Sequence, residues 1–534
     1  MIKLRSEAQM PSPTPKPLRG RSLPGFLLLL VSIAVVALVI ERWRGQWALT
    51  TWKRQMEAKG EVFDAGRLWP PPSARSLEFS NRLAQALGQL PPGLANYAGM
   101  LSGIVLESPG HGRRGSQEPF PPVSHKRSST NTWRDLDTLI GQAEPALKLV
   151  RQLMKDPPSD MGYDIIQRLR TDSIPNLVSV RRAAQALHAA AINDLHKGDL
   201  TGALENLTAL SGCVRLYADD PTLVNFMIRV AITGLSVDVC WDALQAKGWT
   251  EPQLATFQQV CQVDKLLLVQ MSRSMEAERG IRLGQLAWFR SHSYEEWVAR
   301  YQKIFEFVTW QNPPHDALPV LYWRQYVFHP LWQLLWADKE ELIYLQTSQQ
   351  PIMILRETAK HGSWLVLNQQ MEAHHQNYCP PIAAWRFYRA LPILDGFSGI
   401  ISGSPASPTA YPYPVFSKAW FITMKNLTLH QMVIAAVALR RYELRHGELP
   451  QGFTSLVPEF LAEVPRDFMD GQPLRYRLNG EGSFVLYSVG EDGRDDKGDP
   501  LPAVSDENRQ NRSCWAGRDW VWPRVVADAN ADES

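Results

Sequence analysis

Apolar positions are spread very unevenly along this chain. From Ser22 to Ile40 nineteen consecutive residues carry no charge, and Phe26, four successive leucines, Ile33, Val35, Val36, Leu38 and Val39 fill most of them. At 1.5 Å per residue the run reaches about 28 Å as a helix, roughly one hydrocarbon thickness, and it predicts a transmembrane segment over 22–40. Lys3, Arg5, Lys16, Arg19 and Arg21 precede it, and Arg42, Arg44, Lys53 and Arg54 follow. That slight excess of positive charge predicts residues 1–21 as a cytoplasmic tail and the bulk on the outer side. No small-x-small cleavage site follows, so the segment reads as an uncleaved signal anchor. Trp43 and Trp47 lie where interfacial aromatics are expected.

Residues 41–130 read as a juxtamembrane and flexible loop region. Thr51 to Arg67 is charged and helix-compatible, with Gly60 as a stop, and Pro70-Pro71-Pro72 ends any regular element. Glu107 to Thr130 mixes Pro, Gly, Ser, Arg and His with almost no aliphatics, which predicts a mobile surface loop. Helical periodicity takes over across 131–401. Leu136, Ile140, Ala143, Leu147 and Val150 recur at spacings of four and three, one face of an amphipathic helix. The alanine-rich stretch Pro175 to His196, the break Gly198-Asp199 and the run Leu200 to Tyr217 predict an αα-hairpin, with Asp199 capping its second helix. Pro221 and Glu251-Pro252 each open a further helix. Val263 to Phe289 continues helically and gathers Glu276, Glu278, Arg279 and Arg282, either a solvated face or a buried charged network. Further helices are expected over Pro330 to Thr347 and Trp364 to Tyr378. No regular 34-residue period appears, so the body is read as irregular α-helical rather than as a repeat array.

Ser402 to Pro414 holds four prolines, and 402–425 reads as a linker into a C-terminal module, 426–534. Asn426 to Arg445 is a helix, apolar all round from Met432 to Leu439 and therefore buried. A short second helix near Ser455 to Leu461 follows. Leu474, Tyr476 and Leu478 alternate with Arg475 and Arg477 as a half-buried strand, Asn479-Gly480 is a hairpin turn, and Phe484 to Val489 returns. Gly490 to Asp499 is then an acidic, glycine-bent loop. The fold class is mainly α: a transmembrane helix, an irregular helical body and a small α+β module.

Helix, proline-punctuated bend, hairpin and acidic loop, in this order over Leu427 to Asp499, resemble the globular end of the type II secretion major pseudopilin. In that family the loop follows a serine-bearing strand end in the form G-x-D-G, matched here by Ser488, Gly490, Asp492 and Gly493. The resemblance implies a place on the outer side of a bacterial inner membrane and calcium held by Asp492, Asp495, Asp496 and Asp499. Carboxylates on a glycine-bent loop suit a hard cation, which needs six to eight oxygens; the alternative is a solvated acidic turn. Arg494 and Lys497 depart from the pattern, and Asp467-Phe468-Met469-Asp470-Gly471 stands in place of the family's D-P-W-G turn. Gly25-Phe26 behind a basic leader is similar to a prepilin-peptidase site, but Leu30 occupies the position where those substrates carry glutamate. The whole chain also resembles uncharacterised membrane-anchored bacterial proteins.

Composition narrows the function further. The net charge of +2 over 534 residues gives no bias towards nucleic acid. Five dispersed cysteines without a C-x-x-C pair exclude a zinc ribbon and read as buried small side chains. Nineteen tryptophans, most between Trp241 and Trp420, line either a core or an aromatic groove. His374-His375 point about 100° apart on a helix and make a poor metal pair. No G-x-S-x-G, Walker or dinucleotide motif is present. Two functions are carried forward: a membrane-anchored structural or interaction protein with a protein partner in the cell envelope, or a periplasmic hydrolase with an aromatic-lined cleft.

Overall fold

The computed structural model describes residues 23–69, 71–94, 104–108, 111–114, 133–162, 178–262, 264–296, 299, 322–377, 413–480, 483–501, 515 and 517–525. Among the described residues three helices are long and apolar enough to cross a membrane: Gly25–Glu57, Leu223–Gln245 and Phe416–His446. Only in the first is the apolar window wholly unburied by the rest of the chain. This helix, α1 (Leu23–Glu57), does not stop at Ile40. Nothing between Ile40 and Glu57 breaks a helix, and Gly60, at φ +91°, supplies the turn that follows it. The juxtamembrane region thus begins as a direct extension of the apolar segment.

Short α2 (Ala65–Leu68) and α3 (Ala74–Gly88) come next, with Ser73 capping α3 through the Ser76 amide. The body is α4 (Trp133–Met154), α5 (Val178–Lys197), α6 (Leu200–Arg215), α7 (Leu223–Gln245), α8 (Glu251–Val260) and α9 (Asp264–Ser291). The αα-hairpin forms where expected: Gly198 turns at φ +78° and the Asp199 carboxylate accepts the Gly202 amide at 3.0 Å. Gly212 lets α6 approach α4 closely, since a Cβ there would sit 2.2 Å from the Met154 carbonyl oxygen. A π turn (Arg324–Phe328) leads into α10 (His329–Leu335), α11 (Ala337–His361) and α12 (Trp364–Asn377). The described residues are 72% helical and 4% strand, so the molecule is mainly α.

The helix expected from Asn426 begins earlier, as α13 (Tyr413–His446), so 413–425 is helix and not linker. Pro414, in the first turn, accounts for the difference: proline at a helix start removes an N–H that has no partner anyway. Residues 402–412 of the expected linker lie outside the described residues. Every residue from Met432 to Leu439 is buried, and α13 packs against α7, α8, α9 and α12. One hydrophobic core therefore runs from Phe79 on α3 through α13 to Trp522. A small second core, Leu49, Phe63, Leu283 and Leu345, joins α1 to α9 and α11.

Strands β3 (Arg475–Leu478) and β4 (Phe484–Ser488) form the expected antiparallel hairpin, extended by β5 (Trp520–Val521). The 3-10 turn Phe453–Leu456 stands where a second helix was expected. A second sheet corrects the flexible-loop reading of Glu107 to Thr130. Ile104–Ser108 (β1) pairs with His111–Arg114 (β2), and β2 lies parallel to β6 (Arg524–Val525). That partner comes from the far end of the chain, so no local pattern announces it. Residues 115–130 lie outside the described residues.

Candidate functional site

The charged group on α9 is a buried network rather than a solvated face, and its centre is a residue outside α9. Past the end of α1 the strap 58–64 turns back towards the body and buries Glu61 between α9 and α11. Arg279, 1% exposed, donates to Glu61 at 3.0 Å, to the Val62 carbonyl at 3.2 Å and to Gln349 at 2.6 Å. Gln349 in turn donates to Glu61 at 2.9 Å. Arg356 clamps the same carboxylate through both terminal nitrogens and reaches Glu276 with Nε at 3.0 Å. The Arg279 guanidinium also lies over the Phe63 ring, 4.8 Å from its centre. Burial alone would raise the Glu61 carboxyl, but hydrogen bonds from Arg356, Arg279 and Gln349 outweigh it and hold the pKa down to about 2. Glu278 stands apart from this cluster, its carboxyl raised by burial against the opposing pull of Arg282.

The C-terminal carboxylates are organised differently. Asp467, fully buried, accepts the amides of Met469 and Val489 at 3.0 Å each, the Ser488 hydroxyl at 2.9 Å and Arg475 at 2.9 Å. It thereby pins the bend, both strands of the hairpin and, through Thr428, helix α13. Burial nevertheless pushes its carboxyl up, and the Met469 and Val489 bonds offset this only in part. Asp519, also fully buried, accepts the amides of Gly498 at 2.6 Å and Asp496 at 3.4 Å and so closes the acidic loop from beneath. Burial, with Asp495 and Asp496 close by, raises its carboxyl to about 6.

Three of the four expected calcium ligands have carboxylates bonded within the module. Asp492 accepts the Arg494 amide; Asp495 accepts the Tyr487 hydroxyl and the Lys497 amide; Asp499 pairs with Arg518 at 3.2 Å. Asp496 uses its amide on Asp519. Among the described residues no three His, Cys, Asp or Glu side chains gather in a way that could hold a metal ion.

No family model, curated protein or solved structure matches this chain. Its chemistry is read from its own geometry.

Glu61 is held as a structural carboxylate. A carboxylate at about pKa 2 with both oxygens bonded has no proton to give and no lone pair directed at a substrate. Ser236 and His430, 2.8 Å apart between α7 and α13, are no nucleophile pair. The Ser236 hydroxyl donates to the Thr233 carbonyl, and His430 Nε2 lies 3.0 Å from the same oxygen. His188 is buried, and burial pushes it down to about 4, so it is neutral. Trp241, Trp249, Trp332, Trp364 and Trp420 are all buried, and Trp241 and Trp249 donate to the Pro523 and Ala243 carbonyls. These tryptophans pack a core and do not line a groove. Cys213, Cys240 and Cys261 are buried free thiols, as read from their dispersal. Glu61 and Asp519 were missed by sequence reading, since neither has a local partner; Asp467 was visible only as part of a bend.

Proposed function

We propose that this chain is a single-pass, membrane-anchored interaction or structural protein that holds a helical body rigidly against the outer face of a bacterial inner membrane. The observation that carries the reading is the division of α1: an apolar half bare of protein contact, and a second half built into the body. A soluble protein does not leave a helical turn after turn of Leu, Ile and Val exposed, whereas lipid accepts it at no cost. The small excess of Lys and Arg before the segment favours a cytoplasmic N-terminus. The ion-paired Glu61 network and the packed tryptophans speak for a docking body rather than for a periplasmic hydrolase.

A reporter fused after Ser534 tests the topology. Alkaline phosphatase active there is the expected result, and a fluorescent cytoplasmic reporter with silent phosphatase overturns it. Cross-linking in membranes before solubilisation identifies the envelope partner. Calcium is supported by the pseudopilin resemblance and by the carboxylates of the glycine-bent loop, and melting of the full chain decides it. A site loaded at a hundredfold excess over its Kd adds about 2.7 kcal/mol. A calcium-dependent shift abolished by Asp492→Ala with Asp496→Ala establishes the site; superimposed curves in calcium and chelator remove it.

A further inference from the structure

Where α11 begins, it lies beside α1 just past the end of the apolar run. Lys339 pairs with Glu41, and its side chain fills the space above Gly45, 3.2 Å from where a Cβ would stand. Six residues further on, Leu345 shares a core with Leu49. The two helices therefore advance in the same direction, away from Ile40. Going backwards along α11 leads towards the membrane, and one turn residue, Trp336 at φ −118°, separates it from α10. The Trp336 amide bonds the Trp332 carbonyl and the Glu340 amide bonds the Trp336 carbonyl, carrying the backbone into α10, which itself packs on α1. Leu331, eight residues before Lys339, lies in this direction.

The outward face of this segment is apolar. Tyr322, Tyr326, Val327, Leu331 and Leu334 follow one another at helical spacing and are 38% to 64% exposed, with Tyr322 and Tyr326 stacked at 5.7 Å. The opposite face is packed and hydrogen-bonded against the end of α9. His329 Nε2 contacts the Phe289 carbonyl at 3.2 Å, Gln333 donates to the Arg290 carbonyl at 2.9 Å, and Trp332 is buried against Phe289. A helix with one face bonded inward and an aromatic and aliphatic face outward, held next to a transmembrane helix at its exit level, is matched by the bilayer interface.

We infer that residues Tyr322 to Leu334 form a second membrane contact, a short foot that lies in the outer leaflet beside α1 and receives lipid on Tyr326, Leu331 and Leu334. This rests on the reading of α1 as the anchor, and the occupant is lipid because the patch continues the surface that α1 presents to the hydrocarbon. The foot fixes the body's rotation about the anchor, which a single span does not.

The test uses the full chain in nanodiscs of phosphatidylethanolamine and phosphatidylglycerol, with Cys379→Ser and Cys514→Ser to remove cysteines outside the buried set. Nitroxide labels go to Leu331→Cys, Tyr326→Cys, Val36→Cys in the anchor and Glu205→Cys on the exposed face of α6. Collision rates with oxygen and with a water-soluble nickel chelate are then compared. Oxygen exceeding nickel several-fold at positions 36, 326 and 331, with the reverse at 205, is the expected result. Nickel dominating at 326 and 331 while 36 remains lipidic overturns the foot and leaves the anchor standing. Nickel dominating at 36 overturns the anchor itself. Low collision with both reagents at 326 and 331 means that protein covers the patch, a second copy or another segment of this chain, and also overturns the proposal.

Discussion

Glu61 and Asp467 are both carboxylates buried where the chain needs to be pinned, and they are held in opposite ways. Glu61 faces two guanidinium groups and an amide, and the pairing outweighs burial. Asp467 is held mainly by backbone amides and hydroxyls with one arginine, and burial wins. The first arrangement neutralises charge between distant elements, α1's strap, α9 and α11. The second knits neighbouring turns and strands into one small unit. Charge compensation is the stronger device, but it leaves guanidinium groups that cannot tolerate losing their partner.

The largest expected effect follows from that weakness. Glu61→Ala leaves Arg279 buried and unpaired, and should cost about 3–5 kcal/mol in urea unfolding of the detergent-solubilised chain. A loss below about 1 kcal/mol would put the network on a par with surface ion pairs and erase the contrast. Asp467→Ala should cost about 2–3 kcal/mol, because it strands the amides of Met469 and Val489 and the Ser488 hydroxyl. Asp467→Asn keeps an acceptor for those donors and should recover about half of the loss; equal costs for the two variants would mean that the Arg475 contact dominates and that the two sites are held alike.

A pH series separates them further. Glu61 is depressed in the folded state, so its contribution is complete above about 4.5 and disappears only as the pH falls towards about 2. Asp519, beneath the acidic loop, is raised to about 6, so its ionisation opposes folding, and stability rises as the pH falls through 6 towards 3.8. Hydrogen exchange read separately on the two regions should show slower opening of Tyr487 to Asp499 at pH 5 than at pH 7, abolished in Asp519→Asn, with residues 58–64 unchanged. Parallel behaviour of both regions would break the distinction. The smallest effect belongs to Lys339→Ala. Its pair with Glu41 is partly exposed, and the loss should stay within about 1 kcal/mol.

What the sequence disclosed follows the range of the forces involved. The α5–α6 hairpin was legible because glycine at a left-handed position and an aspartate cap act within a few residues. The apolar sheath from Met432 to Leu439 disclosed burial of α13 without saying against what, since α7 and α8 supply its partners from far upstream. The four basic and acidic residues on α9 disclosed a possible network and concealed its acceptor, which lies 218 positions away. The acidic loop shows the converse. Its composition suggested a shared ligand, yet Asp492 and Asp495 accept neighbouring amides and Asp499 pairs with Arg518, while Asp519 arrives from outside the motif.

The unbroken passage of α1 from the apolar run into the body has a mechanical consequence. From Glu41 to Glu57 the helix rises about 25 Å, and a helix of that length held against α11 bends little. With the apolar run in lipid as proposed, it acts as a post and not as a leash. A body on a leash sweeps a hemisphere and meets partners from any side, at a local concentration that falls with tether length. A body on a post offers the same flank at the same height above the lipid, so encounters with other membrane-bound proteins become a search in two dimensions. Binding then forfeits less rotational freedom, and a small contact area can suffice for a lasting complex.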